Sequence, residues 1–165
     1  MQTRTQKIVI SAMLAALVCV ATMIIKIPSP LKGYINLGDC VVLICGWILS
    51  PVYGFLAAGI GSALADLFSG YVFYVPATFV IKGLMAVVAG GCFKALRNKI
   101  NLFFGRLLSG GAAEMVMAVG YYLFEGLIYG FVPSAVNIPA NIIQGVAGLV
   151  LGIILIKFFE KNNMF

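Results

Sequence analysis

The ionisable residues of this chain are few, and they are not scattered. Of its 11 Lys/Arg, eight fall in three clusters: Arg4/Lys7, Lys94/Arg97/Lys99/Arg106 and Lys157/Lys161. Between the clusters lie long apolar runs that hold only isolated charges. Composition explains why this pattern is decisive. The chain is 62% hydrophobic and 10% charged, against about 45–50% and about 25% for a soluble domain. So few charges cannot cover a water-facing surface of this size, so the bilayer must solvate most of the chain. The pattern predicts an all-α membrane protein. It also points to the charges left inside the apolar runs as the place to look for a site.

Several functions are disfavoured at once. The net charge of +6 sits at predicted helix ends, where it reads as an orientation signal rather than a nucleic-acid footprint. Histidine is absent, which removes the commonest catalytic base and metal ligand. Cys19, Cys40, Cys45 and Cys92 have no CxxC spacing and read as small apolar residues. No metal site, cofactor or catalytic residue is expected, and the chain is not expected to be an enzyme. There is no GxxxxGK[ST] loop, so the chain does not itself bind ATP in that way.

Charge also counts the helices. Ile8–Ile25 is an uncharged run of 18 residues flanked by Lys7 and Lys26, longer than a signal-peptide core. Ile27–Asp39 reads as a loop, with two prolines and two glycines. Cys40–Ala65 is uncharged for 26 residues but interrupted by Ser50-Pro51. One kinked helix there makes five spans and puts Lys94–Arg106 on the opposite side from Arg4/Lys7. Two short helices make six spans and put all three basic clusters on one side. Cytoplasmic excess of Lys and Arg selects the second option. The expectation is a compact bundle of six transmembrane helices in a single domain, 1–165, with both termini cytoplasmic. The helices are placed at about 8–26, 39–50, 52–69, 74–93, 106–129 and 138–159. Val132–Asn137 is read as an outer loop and Leu96–Gly105 as a basic inner one.

Two helices carry small-residue ladders, which let backbones approach closely in lipid. Ala57/Gly61/Ala65 and Ala58/Ser62 read as internal packing. On the first helix, Ser11/Ala15 and Ala12/Ala16 suit either packing or a partner. Polar residues at bilayer depth cost several kcal/mol, at least about 2.5–3.5 for a charge, and so face the bundle interior or a wet cavity. Glu114, Tyr121 and Glu125 are 7 and 11 residues apart, which at about 100° per residue puts them on one face. Asn137, Asn141 and Gln144 share another, and Thr78 and Lys82 are one turn apart. Lys82 lies about 12 Å below the outer end of its helix and Glu125 about 6 Å below its own. These groups can converge in one outward-facing pocket, or Lys82 and Glu125 can form a structural ion pair. Tyr34, Asn36 and Asp39, with Tyr71 and Tyr74, are placed to close over such a pocket, although Tyr71 and Tyr129 also suit an interfacial belt. Asp66 reads as a cap or as a partner for a lysine. Aromatic walls with a few polar groups suit a small planar ligand.

The chain resembles the substrate-binding S components of energy-coupling factor (ECF) vitamin transporters. The resemblance is carried by Ala12-x-x-x-Ala16 in helix one, the YINLGD stretch Tyr34–Asp39, and Asn137-x-Pro139-x-Asn141-x-x-Gln144. It implies a subunit of a multi-pass bacterial cell membrane protein complex that captures a water-soluble vitamin or precursor from outside. By the same resemblance, helix one docks through Ala12 and Ala16 on a membrane-embedded T component, and two cytosolic ATPases drive uptake. The expected ligand is a small heteroaromatic: hydroxymethylpyrimidine or another thiamine precursor, a B6 vitamer, or riboflavin. Lys82 leaves an anion such as pantothenate open. The expected binding residues are Tyr34, Asn36, Asp39, Tyr74, Lys82, Tyr121, Glu125, Asn137, Asn141 and Gln144. The alternative is an autonomous proton-coupled carrier using Glu114 or Glu125.

Overall fold

A computed structural model describes residues 3–29 and 33–161. Its helices run α1 Arg4–Ile24, α2 Gly38–Ile48, α3 Pro51–Phe68, α4 Val75–Leu96, α5 Leu102–Tyr129, α6 Phe131–Ser134 and α7 Ile138–Lys161. The short α6 and the 3-10 turn Ala135–Asn137 link α5 to α7, so six helices build the bundle. Segments containing α1, α3, α4, α5 and α7 are long and apolar enough to cross a membrane, whereas α2 is a shorter apolar helix.

Ser50-Pro51 does split the second apolar run. Leu49 and Ser50 are extended, and Pro51 occupies the first turn of α3, where its missing N–H is harmless. Several boundaries differ from the expected ones: α2 ends at Ile48 rather than 50 and α7 continues to Lys161 rather than 159. α1 starts at Arg4, not near residue 8, because Thr3 and Gln6 form a capping box. It stops at Ile24 because Lys26 is already in a strand. α4 continues to Leu96, beyond the expected end at 93. α5 starts at Leu102 rather than Arg106, because the Asn101 side chain accepts from the Phe103 N–H at 2.8 Å and so satisfies one of the free first-turn donors.

The stretch read as a loop over Ile27–Asp39 holds a small hairpin. Here β1 (Lys26–Pro28) pairs antiparallel with β2 (Tyr34–Asn36), with Ile27 opposite Ile35. Residues 30–32 of that stretch lie outside the described residues. Val132–Asn137 is likewise two short helical turns rather than an open loop.

The core follows from α2. Every residue from Gly38 to Gly46 is buried, as expected of a helix that is apolar all round. α1, α3, α4 and α7 pack around it. Val42, Leu43, Ile44 and Cys45 meet Val18, Met85 and Met117 in the central cluster. Cys19, Cys40 and Cys45 are buried free thiols.

The two ladders on α1 separate. Gly61 of α3 stands so close to α1 that an added Cβ would lie 2.4 Å from the Ala15 carbonyl. Ser11 is buried and Ala15 half-buried, while Ala12 and Ala16 are exposed. The first ladder is internal packing; the second faces outward from the bundle.

One end of the bundle gathers basic side chains. Arg106 pairs with Glu160, lies over the Phe93 ring at 5.2 Å, and sits near Trp47. Lys157 covers Phe103. The hairpin and the α5–α7 link form the opposite, distal end.

Candidate functional site

A cleft of about 470 Å³, counted to its open mouth, lies at the distal end. The hairpin covers one side through Tyr34, Ile35 and Asn36. Asp66 enters from the end of α3, Tyr74 and Thr78 from the start of α4. The polar face of α5 contributes Tyr121 and Glu125, and that of α7 contributes Asn141 and Gln144, with Asn137 just before it.

The wall is aromatic. The rings of Tyr34 and Tyr71 lie 4.9 Å apart and tilted, and Tyr71 meets Tyr74 edge-on at 6.3 Å. The Tyr34 hydroxyl donates to Asp66 Oδ1 at 2.7 Å, tying the hairpin to α3. Lys26 reinforces this: its ammonium donates to Ser69 Oγ at 2.9 Å and stands 5.9 Å from the Tyr34 ring centre. Burial, then the nearby Asp66 charge, pushes the Tyr34 hydroxyl above its ordinary pKa. It therefore remains a donor.

Glu125 is the better held of the two acids that line the cleft. Asn137 Nδ2 reaches both of its oxygens, at 3.1 and 3.0 Å, and the Tyr74 hydroxyl donates to Oε1 at 3.3 Å. Nearby, Thr78 Oγ1 and the Tyr121 hydroxyl share a 3.0 Å hydrogen bond.

Beneath the cleft runs a second network. Gln144 Oε1 accepts from the Asn36 backbone N–H at 2.9 Å, and Gln144 Nε2 donates to Asp39 Oδ2 at 2.6 Å. The other oxygen of Asp39 forms an ion pair with Lys82. Lys82 Nζ and Gln144 Nε2 each lie 3.2 Å from Met117 Sδ. Asn36 Oδ1 accepts from the Gly38 N–H, which anchors the hairpin to the start of α2. One continuous chain thus links β2, α7, α2 and α4.

Eight of the ten expected binding residues line the cleft. Asp39 and Lys82 do not; they pair with each other below its floor. Lys82 therefore does not pair with Glu125, whose carboxylate is held by an amide and a phenol. Asp66 holds down the Ile27–Asp39 stretch through Tyr34 and also hydrogen-bonds Thr78; among the described residues it forms no salt bridge with a lysine. Asp66, Tyr71 and Thr78 also line the cleft. Asp66 was detectable in the sequence as an isolated carboxylate at the end of a helix, and Thr78 as the turn-mate of Lys82. Ala12 and Ala16 are far from the cleft in sequence and lie on the exposed α1 face. No cluster of three potential metal ligands occurs among the described residues.

The chemistry of the cleft is one-sided. Two carboxyl groups, several phenols and four amides face it, and among the described residues no lysine or arginine lines it. It can accept hydrogen bonds from a flat molecule stacked against tyrosine.

Over residues 2–161 the chain matches the family described as ECF-type riboflavin transporter, S component. A Pyrococcus woesei protein described as "Uncharacterized protein in gap 3'region" is 35% identical, covering 82% of this chain and 88% of its own. The thiamine precursor transporter HmpT of Lactococcus lactis subsp. cremoris is 26% identical, covering 96% of this chain and 90% of its own. Among solved structures, the S component of a bacterial ECF transporter superposes with a TM-score of 0.72. It is 23% identical and covers 96% of this chain and 98% of that one, which supports the fold.

Proposed function

Because the chain belongs to the family of S components of ECF-type riboflavin transporters, we propose that the distal cleft captures a small heteroaromatic vitamin precursor carrying ring or amino N–H donors, with an aminopyrimidine of the thiamine-precursor class as first choice. The carrying observation is that Asp66 and Glu125 face an aromatic cleft whose described lining residues include no basic side chain. An anion such as pantothenate would meet two carboxyls there, and Lys82 is bound to Asp39. The similarity to a thiamine precursor transporter supports the same choice over a B6 vitamer or riboflavin.

The remaining roles follow from this reading. The distal cleft faces outside, and the basic end, with both termini, faces the cytoplasm of the cell. The exposed Ala12/Ala16 face of α1 docks on a membrane-embedded T component, and two cytosolic ATPases energise release. Close approach of small residues is the usual way helices associate in lipid.

Titration calorimetry of the purified chain against hydroxymethylpyrimidine, pyridoxine, riboflavin and pantothenate tests the ligand class. The aminopyrimidine should bind tightest, and pantothenate should not bind. Tightest binding of pantothenate overturns the reading. Ala12→Trp should leave that affinity unchanged and abolish co-purification with the T component.

A further inference from the structure

Glu114 belongs to neither network of the distal cleft. It sits on α5, 8% exposed, and neither carboxyl oxygen has a hydrogen-bond partner among the described residues. It borders a separate cleft of about 500 Å³ between α5 and α7. That cleft is apolar and opens sideways: Met115, Ile142 and Val146 on its rim are 68%, 54% and 59% exposed. In a bundle of this kind its mouth faces lipid.

Room for the carboxyl comes from α7. Its Oε2 lies 3.1 Å from where a Cβ on Gly145 would stand, and its Oε1 3.3 Å from the corresponding point on Gly148. The charged and titratable groups around it are Asp39 and Cys40 of α2 and Lys82 of α4. From α7 the cleft receives only Asn141 as a polar residue. Lys82 hydrogen-bonds Asp39 and Met117, not Glu114. Two carboxyl groups thus share one cation, and the cation is already committed. An ionised Glu114 would be a buried charge without donors beside a second negative charge, the costliest arrangement for a carboxyl group.

We propose that Glu114 is a proton-binding site that holds its proton at neutral pH and exchanges it through the lateral α5–α7 cleft. With its proton bound, Glu114 is neutral and the Asp39–Lys82–Glu114 group carries no net charge, because Lys82 balances Asp39. The site is distinct from the distal cleft and does not rest on the identity of its ligand.

The geometry predicts attack by a hydrophobic carbodiimide. A carboxyl oxygen bonds to the carbodiimide carbon, the acid proton passes to its nitrogen, and nothing leaves. Full-length protein in lipid nanodiscs is treated with dicyclohexylcarbodiimide and analysed by peptide mass spectrometry. Glu114 should gain the mass of one whole reagent at neutral pH, and labelling should fall as pH is raised; Glu160, ion-paired to Arg106, should stay unlabelled. No adduct on Glu114 at neutral pH, or preferential labelling by a water-soluble carbodiimide, overturns the proposal. Infrared spectra give an independent readout. Glu114→Gln should remove a protonated-carboxyl C=O band, whereas loss of a carboxylate band instead overturns the proposal.

Discussion

Lys82 and Asp39 form an ion pair in which the two side chains keep 4% and 0% of their surface exposed. Taking one partner away strands the other charge at bilayer depth. Such losses cost about 3–5 kcal/mol, whereas replacing both partners with apolar groups is often neutral. Lys82→Met should lower the thermal unfolding midpoint in detergent sharply, and adding Asp39→Leu should restore most of it. A double variant less stable than either single one would mean that the pair is not the reason.

Gln144 transmits that pair to the hairpin. Gln144→Leu removes the acceptor of the Asn36 N–H and the donor to Asp39. Each buried group left unpaired costs about 1–3 kcal/mol. Hydrogen exchange at the Asn36 amide should accelerate, while amides in the centre of α4 should hardly change.

Glu125 and Asn137 form the amide–carboxylate contact most exposed to a ligand. Glu125→Gln turns an acceptor of two Asn137 bonds into a side chain with its own N–H donors. Losing a hydrogen bond to a charged group is worth about 1.5–3 kcal/mol, which corresponds to roughly tenfold to a hundredfold weaker binding. Calorimetry with the aminopyrimidine checks this. An unchanged affinity would remove Glu125 from the site.

Tyr34 gives a signature in pH. Its hydroxyl is pushed up by burial and then by Asp66, whereas an unfolded tyrosine titrates near about 10. The stability that its proton supplies is therefore fully present below about pH 10 and falls as pH rises beyond it. Ultraviolet titration of Tyr34→Phe should remove no phenolate signal in the ordinary tyrosine range. Its unfolding midpoint should fall less steeply than that of the parent above about pH 10.

Gly148 tests the packing of α7 on α2. A Cβ there would lie 2.7 Å from Asp39 Cβ, and that contact cannot swing away because Asp39 is held at both oxygens. Overpacking of this kind costs about 1–3 kcal/mol. Gly148→Ala should lower the melting temperature, and Gly111→Ala, with open space around it, should not.

What the sequence disclosed depends on what a single helix can encode. Helical period alone put Tyr121 and Glu125 on one face of α5, and Asn141 and Gln144 on one face of α7; all four line the distal cleft. Clustered basic residues and Ser50-Pro51 were enough to divide the α2–α3 stretch. Partner choice was not legible. That Lys82 takes Asp39 rather than Glu125 depends on the relative depth of α2 and α4, which no local pattern records. The hairpin escaped because strands of three residues are too short to show alternation. Asp66 was visible as a charge, but its partner Tyr34 lies 32 residues away.

The brevity of α2 has a consequence for the bilayer itself. Its 11 residues rise about 16 Å, roughly half of a hydrocarbon layer about 30 Å thick. Asp39, in its first turn, is level with Gln144, about 9 Å below the start of α7. The hairpin and the distal cleft occupy the height that a full-length helix would have filled. On the function proposed above, a molecule captured there sits below the outer ends of the long helices, and lipid thickness sets how far it must travel to regain its hydration shell.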